Sequence, residues 1–134
     1  MRQLDDTIFV SGQLHPADIA DAAARGVTMI VNNRPDGEQF GQPASAALQA
    51  AAEEAGLAYR HIPVSGGVSP DQVAAMAEAL DTADGPVLAF CAVGMRSTTL
   101  WALARAGEGA DGDELVSKAA AAGYDLSGLR PHLG

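Results

Sequence analysis

Cys91 is the only cysteine of the chain, and it stands directly after the apolar run at residues 86–90. A short loop with Gly94 follows, and Arg96 and Ser97 then begin a predicted helix. Backbone N–H groups of such a loop and first helical turn bind an anion, and their field favours thiolate over thiol. A cysteine in this setting has a pKa well below the usual value of about 8.5. The pattern predicts that Cys91 is a nucleophile on the floor of an anion-binding cradle.

Cys91 could also be a small buried apolar residue without a chemical role, as most free cysteines are. Arg96 favours the nucleophile over this alternative. Arginine is disfavoured in the first turn of a helix because the helix dipole is positive there. A bound oxyanion removes the penalty, and the planar guanidinium can hold two oxygens at once. We therefore predict Cys91, Arg96 and Ser97 as catalytic residues. The residues between them are predicted to bind substrate: Ala92, Val93, Gly94 and Met95.

The spacing of Cys91 and Arg96 resembles that of two related enzyme groups. Four residues lie between them, as in rhodanese-like sulfurtransferases, whereas tyrosine and dual-specificity phosphatases have five. Other segments resemble segments of the phosphatase-like domain of the β-lactamase-hydrolase-like proteins, where they occur in the same order along the chain. This family is also labelled sulfurtransferase. The segments are residues 11–14, 32–38, 42–43 and 61–64. The resemblance spans about residues 3–125 and implies a cysteine-phosphatase-like fold.

The resemblance also implies roles for single side chains. In the phosphatases a hydroxyl next to the arginine helps the thiolate to leave, which implies this role for Ser97. The segment around Arg34 faces the cradle in the family, so Arg34 is expected to be a second anion contact. Asp36 or Glu38 could serve there as an acid. From the residues alone, the run Arg-Pro-Asp-Gly at 34–37 is also typical of an ordinary turn.

The presence of a general acid decides which reaction the cradle performs. A phosphatase must protonate the departing alkoxide, usually with an aspartate on the loop after the preceding strand. Here that loop reads Ser65-Gly66-Gly67, and no carboxylate follows it before Asp71. Sulfur transfer needs no such acid, because sulfite leaves as a stable anion and Cys91 keeps a persulfide. The sequence therefore ranks a cysteine-dependent sulfurtransferase first and a cysteine-dependent phosphatase second.

Each interpretation implies its own partners. A sulfurtransferase with one cysteine takes sulfur from a small anionic donor and passes it to an external thiol, either glutathione or a partner protein. A phosphatase takes a phosphoester. A third interpretation is a non-catalytic module that binds anions or senses oxidants through its thiol. No cofactor and no metal is expected, since the chain has no zinc-type cluster of cysteines and histidines.

Composition narrows the class of protein further. The chain has 134 residues, 48% of them hydrophobic, which fits one domain over residues 1–134. Its net charge of −9 argues against nucleic acid or an anionic membrane as partner. No apolar run approaches membrane-spanning length, and the polar residues 1–6 are unlike a signal peptide. Together with the lone cysteine, this predicts a cytoplasmic protein.

Strand and helix patterns alternate along the chain, which predicts an α/β fold with a mostly parallel central sheet of four to five strands flanked by helices. Strands are predicted at residues 2–4, 7–10, 28–31, 59–64 and 86–90, and helices at 16–25, 43–55, 97–106 and 111–122. Ser69 to Gln72 is a capping box that opens a further helix, and Asp111 and Glu114 are predicted to form a cap pair at the start of the last helix. Ligands bind at the carboxyl ends of parallel strands, which adds Ser65 and Gly66 to the predicted substrate contacts.

Overall fold

The computed structural model describes residues 1–134 and contains one sheet. Its strands are β1 (Arg2–Asp5), β2 (Ile8–Ser11), β3 (Met29–Asn32), β4 (Ala58–His61) and β5 (Val87–Phe90). They lie in the order β1-β2-β5-β3-β4. Only β1 and β2 pair antiparallel, whereas the other neighbours are parallel. The predicted α/β fold with a mostly parallel sheet of four to five strands is confirmed.

β5 is the central strand, and all four of its residues are buried. It pairs in parallel with β2 on one side and with β3 on the other. A strand covered on both faces reads as a continuous apolar run, which explains its sequence. The carboxyl ends of β2, β5 and β3 therefore lie side by side, and the loops that leave them share one edge of the sheet.

Helices cover both faces of the sheet. They are α1 (Pro16–Ala24), α2 (Ser45–Glu54), α3 (Pro70–Thr82), α4 (Met95–Gly107) and α5 (Gly112–Ala121), followed by a 3₁₀ helix at Ser127–His132. α1 and α2 enclose a core of 10 buried residues with Leu88 and Phe90. The other three α-helices enclose a core of 21 buried residues, which contains Trp101 and Ala89. Successive residues of β5 thus enter opposite cores, as the pleat of a strand requires. None of the helices has the length and apolarity needed to cross a membrane.

The starts of α3 and α2 are fixed by side chains. The predicted capping box is confirmed, since the Gln72 N–H donates to Ser69 Oγ at 3.2 Å and the Ser69 N–H donates to Gln72 Oε1 at 2.8 Å. α2 begins at Ser45 rather than at residue 43, because the Ser45 N–H donates to Asp36 Oδ1 at 2.8 Å. The loop between β3 and α2 is thereby tied to the helix that follows it.

The start of α5 differs from the prediction. Asp111 and Glu114 were expected to form a cap pair, but this is wrong, because the Asp111 side chain makes no capping hydrogen bond. Arg130 of the 3₁₀ helix instead donates from Nε to Asp113 Oδ1 at 2.6 Å. The first turn of α5 is thus fixed by the last segment of the chain.

Candidate active site

Cys91 follows the last residue of β5 directly and is fully buried. Its N–H donates to the Ser11 carbonyl at 3.3 Å, and the Asn33 N–H donates to the Phe90 carbonyl at 2.8 Å. Both neighbouring strands therefore hold the end of β5, one from each side. The sulfur lies where the carboxyl ends of three parallel strands meet, which is the usual place for a ligand in such a sheet.

The cradle (residues 91–97) turns from β5 into α4 at Gly94, whose φ is +96°. This left-handed conformation is one that glycine adopts without steric cost. The turn directs the Gly94 N–H at Cys91 Sγ, with a distance of 3.1 Å from nitrogen to sulfur. Gly94 and the N-terminus of α4 thus lie beside the Cys91 thiol, as the spacing in the sequence predicted.

The pKa of the Cys91 thiol is lowered by its surroundings. Burial alone would raise the pKa, but the backbone N–H groups of Ser97, Val93, Gly94 and Arg96 outweigh this effect. Hydrogen bonds to the charged form of a group favour that form. The cradle therefore stabilises a thiolate by main-chain donors.

Arg96 is the cation of the cradle, and its contacts divide its N–H donors into two sets. An arginine has five such donors in one plane. Nη1 donates to Glu38 Oε2 and to the Val64 carbonyl, both at 2.8 Å, and Nη2 donates to Glu38 Oε1 at 2.9 Å. A hydrogen bond between the Arg96 and Cys91 side chains contributes to the raised pKa of Arg96. The donors without an oxygen partner are the Nε–H and one Nη2–H, which lie next to each other on one edge of the guanidinium. Such an adjacent pair binds two oxygens of a phosphate or carboxylate at once.

Glu38 is the residue that holds Arg96 in this orientation. It also accepts a hydrogen bond from Arg34 Nε at 2.9 Å, so its carboxylate joins two arginines. The hydrogen bonds from Arg96 and then Arg34 lower the pKa of Glu38 to about 2. In turn, the hydrogen bond that Arg96 donates to Glu38 is the main reason why the pKa of Arg96 is raised, and the charge of Cys91 adds to it. Glu38, predicted as an acid, is therefore ionised at neutral pH and orients a cation.

Arg34 is buried and lies in the same cluster, as the resemblance implied. Besides Glu38, its guanidinium donates to Gln13 Oε1 at 2.9 Å and to Gln39 Oε1 at 3.4 Å. The carbonyl of Arg34 lies 2.9 Å from Nε2 of His61. These contacts fix the loop between β3 and α2 against the loop after β2. Arg34 thus anchors this edge of the site, and its predicted contact with an anion stays a prediction.

The Ser97 side chain is buried, and its hydroxyl is hydrogen-bonded to Asn33 rather than to the sulfur. Its hydroxyl donates to Asn33 Oδ1 at 2.8 Å, and Asn33 Nδ2 donates to the Ile62 carbonyl at 3.0 Å. Only the backbone N–H of Ser97 contributes to the thiolate. The role implied for this hydroxyl, to help the thiolate leave, stays a prediction and would require its proton to turn from Asn33 to Cys91.

The other predicted residues lie outside the cradle. Ser65 and Gly66 are exposed and directly follow Val64, whose carbonyl binds Arg96. Asp36 caps α2, as described above. Asp71 is exposed in the first turn of α3, where the helix dipole favours a carboxylate. None of these side chains makes a hydrogen bond to a residue of the cradle.

Two apolar side chains form an exposed rim beside the cradle. Phe40 is fully exposed, and Val93, within the cradle itself, is 70% exposed. Both line a cavity of about 400 Å³, together with Ala92, Arg34 and Gln39. We call Phe40 and Val93 the apolar rim. Val93 was predicted to bind substrate as part of the cradle, whereas Phe40 was not predicted, because a lone phenylalanine in a loop carries no signal of its own.

The comparisons with known proteins agree with this geometry. A model of the phosphatase-like domain of beta-lactamase hydrolase-like proteins matches residues 1–108. A beta-lactamase hydrolase-like protein of Xylella fastidiosa is 38% identical over 125 residues, which are 92% of this chain and 29% of that protein. The chain therefore spans less than a third of the length of this curated relative.

Solved structures extend the likeness to the fold. A Neisseria meningitidis protein assigned as a phosphatase has a TM-score of 0.85 and 36% identity, over 98% of this chain and 94% of that one. The kinase-associated phosphatase, solved with its catalytic cysteine substituted, has a TM-score of 0.72 and 14% identity, over 94% and 83% of the chains. The predicted cysteine-phosphatase-like fold is confirmed, and the likeness to phosphatase-like proteins supports the predicted enzyme with a thiol nucleophile. The chain belongs to the family of phosphatase-like domains of the beta-lactamase hydrolase-like proteins.

Proposed function

We propose that this domain is a cysteine-dependent phosphatase that hydrolyses phosphoesters with good leaving groups. The observation that carries the proposal is the cradle itself. A buried thiol accepts the Gly94 N–H at 3.1 Å, its pKa is lowered by main-chain donors, and Arg96 has two adjacent donors that no protein oxygen accepts. These groups match a phosphoryl group, which carries negative charge on three oxygens.

The proposed reaction has two steps. The Cys91 thiolate attacks phosphorus, an S–P bond forms, the ester P–O bond breaks, and its electron pair leaves with the alcohol oxygen. Water then attacks phosphorus, the S–P bond breaks, and inorganic phosphate and the thiolate are released. Throughout, the backbone N–H groups and Arg96 hold the three non-bridging oxygens, where charge collects in the transition state. Ser97 is the proposed donor to the departing sulfur in the second step.

The carboxylates around the cradle determine which leaving groups the proposed reaction can use. Glu38 is bound to two arginines with a pKa of about 2, so it carries no proton to donate at neutral pH. Asp36 accepts the N–H that begins α2, and the loop at residues 65–67 has no acidic residue. Without a general acid, the departing oxygen must be stable as an anion. A phenolate meets this condition, whereas the alkoxide of a serine ester does not.

The apolar rim supports the same class of substrate. Phe40 and Val93 border a cavity of about 400 Å³, within the usual range for ligand pockets. An aromatic side chain interacts favourably with another ring in a stacked or edge-to-face arrangement. An aryl phosphate would place its charge in the cradle and its ring against the rim.

Sulfur transfer is the second candidate, and the short cradle favours it. Four residues separate Cys91 from Arg96, as in the rhodanese-like enzymes that the spacing resembles. In that reaction the thiolate takes the outer sulfur of an anionic donor, and an external thiol such as glutathione or a partner protein collects it. The family and the fold of the related structures support the phosphatase more strongly, which reverses the order that the sequence suggested.

The test compares three substrates on one preparation: an aryl phosphate, phosphoserine and thiosulfate with cyanide as acceptor. We expect turnover of the aryl phosphate, at least about 10²-fold slower turnover of phosphoserine for lack of an acid, and loss of both in Cys91→Ser. Sulfur transfer without phosphate release would reject the phosphatase. Oxidation of Cys91 without turnover of any substrate would indicate the non-catalytic module.

A further inference from the structure

The cradle can present its N–H groups to an anion only if its carbonyl groups are held outwards. Each of three consecutive carbonyls has a partner. The Ala92 carbonyl accepts the Gln13 N–H at 3.3 Å, and the Gly94 carbonyl accepts the N–H of Thr98 at 3.0 Å and its hydroxyl at 2.8 Å. The Val93 carbonyl accepts the hydroxyl of Tyr124 at 3.0 Å. Main-chain donors thus serve the first and third carbonyls, whereas the second depends on one side chain.

The carbonyl of Val93 and the N–H of Gly94 belong to a single peptide unit. Such a unit is planar, and its C=O and N–H point in opposite directions. One end of this plane therefore meets the Tyr124 hydroxyl at 3.0 Å, while the other meets Cys91 Sγ at 3.1 Å. A rotation of the plane that breaks the first hydrogen bond also turns the N–H away from the sulfur.

Little else restrains this peptide. Gly94 has a φ of +96° and lacks the side chain that would limit rotation. The outer side of the loop borders a cavity of about 390 Å³, lined by Val93, Met95, Tyr124 and Arg2, rather than a packed core. A Cβ atom at Gly94 would overlap the Tyr124 hydroxyl, so the tyrosine lies directly against the peptide.

Tyr124 is itself held in place. Its N–H donates to the Ala119 carbonyl at 2.8 Å, and the Arg2 guanidinium lies 5.7 Å from the centre of its ring. Arg2 in turn donates to the Ala122 carbonyl at 2.8 Å. Burial is the main reason why the pKa of Tyr124 is raised, so the hydroxyl keeps its proton at neutral pH. The hydroxyl is therefore a fixed donor.

We infer that Tyr124 is a positioning residue that orients the Val93–Gly94 peptide and so aims the Gly94 N–H at the reacting sulfur. Its hydroxyl donates to the Val93 carbonyl and not to the sulfur, and it lies in the segment after α5, outside the loops that leave the sheet. Its effect on turnover rests on the proposed phosphatase function, whereas its effect on the thiol does not.

The test is Tyr124→Phe, which removes the hydroxyl and keeps the ring. The readout is the pH midpoint of iodoacetamide alkylation at Cys91, which is the only thiol. We expect a higher midpoint than in the wild type and about a tenfold loss of kcat/KM on an aryl phosphate, with the melting temperature nearly unchanged. The matched control is Tyr59→Phe, whose hydroxyl bonds Asn32 and Ser45 away from the cradle and should leave the midpoint unchanged.

The two readouts separate this inference from the proposed function. A raised midpoint in Tyr124→Phe supports the inference even if no variant hydrolyses a phosphoester, and that second result would reject only the phosphatase. An unchanged midpoint overturns the inference, whatever happens to turnover. A midpoint that rises equally in Tyr59→Phe also overturns it, because the effect would then be general.

Discussion

Glu38 and Arg96 lie 58 positions apart in the chain and are joined by two hydrogen bonds of 2.8 and 2.9 Å, one from each terminal nitrogen of the arginine to a different carboxylate oxygen. This arrangement orients the guanidinium while leaving its Nε edge without an oxygen partner. A carboxylate that looks like a candidate acid in the sequence therefore supports the Arg96 guanidinium.

Glu38→Gln should lower kcat/KM on an aryl phosphate by about tenfold, which corresponds to about 1.4 kcal/mol of lost transition-state stabilisation. The amide keeps one oxygen acceptor but loses the charge and the paired geometry that hold Arg96. Stability should change by less than about 1 kcal/mol, because the pair is partly exposed to solvent. Steady-state kinetics and thermal melting check both statements. Full activity in this variant would contradict the positioning role.

The lowered pKa of Glu38 predicts how its contribution to stability depends on pH. The pKa of Glu38 is lowered from 4.5 to about 2 by Arg96 and Arg34, so the folded state favours the ionised form. The resulting stabilisation is complete above about pH 4.5 and is lost as the pH falls through 2. The difference in melting temperature between wild type and Glu38→Gln should thus persist from pH 7 down to about pH 4.5 and shrink below that. A difference that stayed constant from pH 7 to about pH 2 would show that folding does not lower the pKa of Glu38.

Cys91 should react as a thiolate near neutral pH. Its pKa is lowered because the backbone N–H groups around it outweigh the effect of burial. The rate of iodoacetamide alkylation, measured against pH, should have its midpoint below about 8.5, the value of an ordinary free thiol. Inorganic phosphate should slow the alkylation by occupying the cradle. A midpoint at or above the ordinary value would remove the basis for nucleophilic catalysis.

Arg96→Lys should reduce kcat/KM by about 10²–10³-fold, the usual effect of removing a donor from an oxyanion site. Lysine keeps the charge but has no planar pair of donors. Arg105→Lys is the matched control on the same helix, since Arg105 contacts Asp81, Glu108 and Thr7 and no residue of the cradle. An equal loss in both variants would indicate a general effect on α4.

Ser97→Ala should slow the second step of the reaction more than the first. In a rapid-mixing experiment on an aryl phosphate, we expect an initial burst of phenolate of nearly normal rate, followed by a slower steady state. The variant also leaves Asn33 Oδ1 buried without its donor, at a cost of about 1–3 kcal/mol in stability. A loss of the burst itself would show that the hydroxyl acts before the thiolate departs.

Local patterns in the sequence were enough to predict the five strands and the five α-helices of this fold, but not the 3₁₀ helix that follows them. The apolar run before Cys91, the box from Ser69 to Gln72 and the proline at the first position of α1 each depend on neighbouring residues only. The order of the strands does not, because it depends on which runs pair across the whole chain. The sequence thus predicted the Cys91 cradle but not that β5 would lie between β2 and β3.

The supporting residues of the site were harder to predict, for the same reason. Glu38 and Tyr124 reach the cradle from 58 and 31 positions away, and neither contact has a periodic or spaced signature. Tyr124 was not predicted as a residue of the site, since a single tyrosine after a helix is ordinary. Asn33 was visible in the segment before Arg34, but nothing there indicated its hydrogen bond to Ser97.

Because β5 is hydrogen-bonded on both sides, the nucleophile is attached to the part of the molecule that opens least often. Amide hydrogens of β5 should exchange with solvent only when the whole domain unfolds. The segment that carries Phe40 also contains Arg34 and Glu38, whose hydrogen bonds tie it to the cradle and to the loop after β2. Phe40 itself is fully exposed. Substituting Phe40 while Arg34 and Glu38 are kept would therefore change which molecules the proposed site accepts without disturbing Arg96, so selectivity and reactivity can evolve separately in this domain.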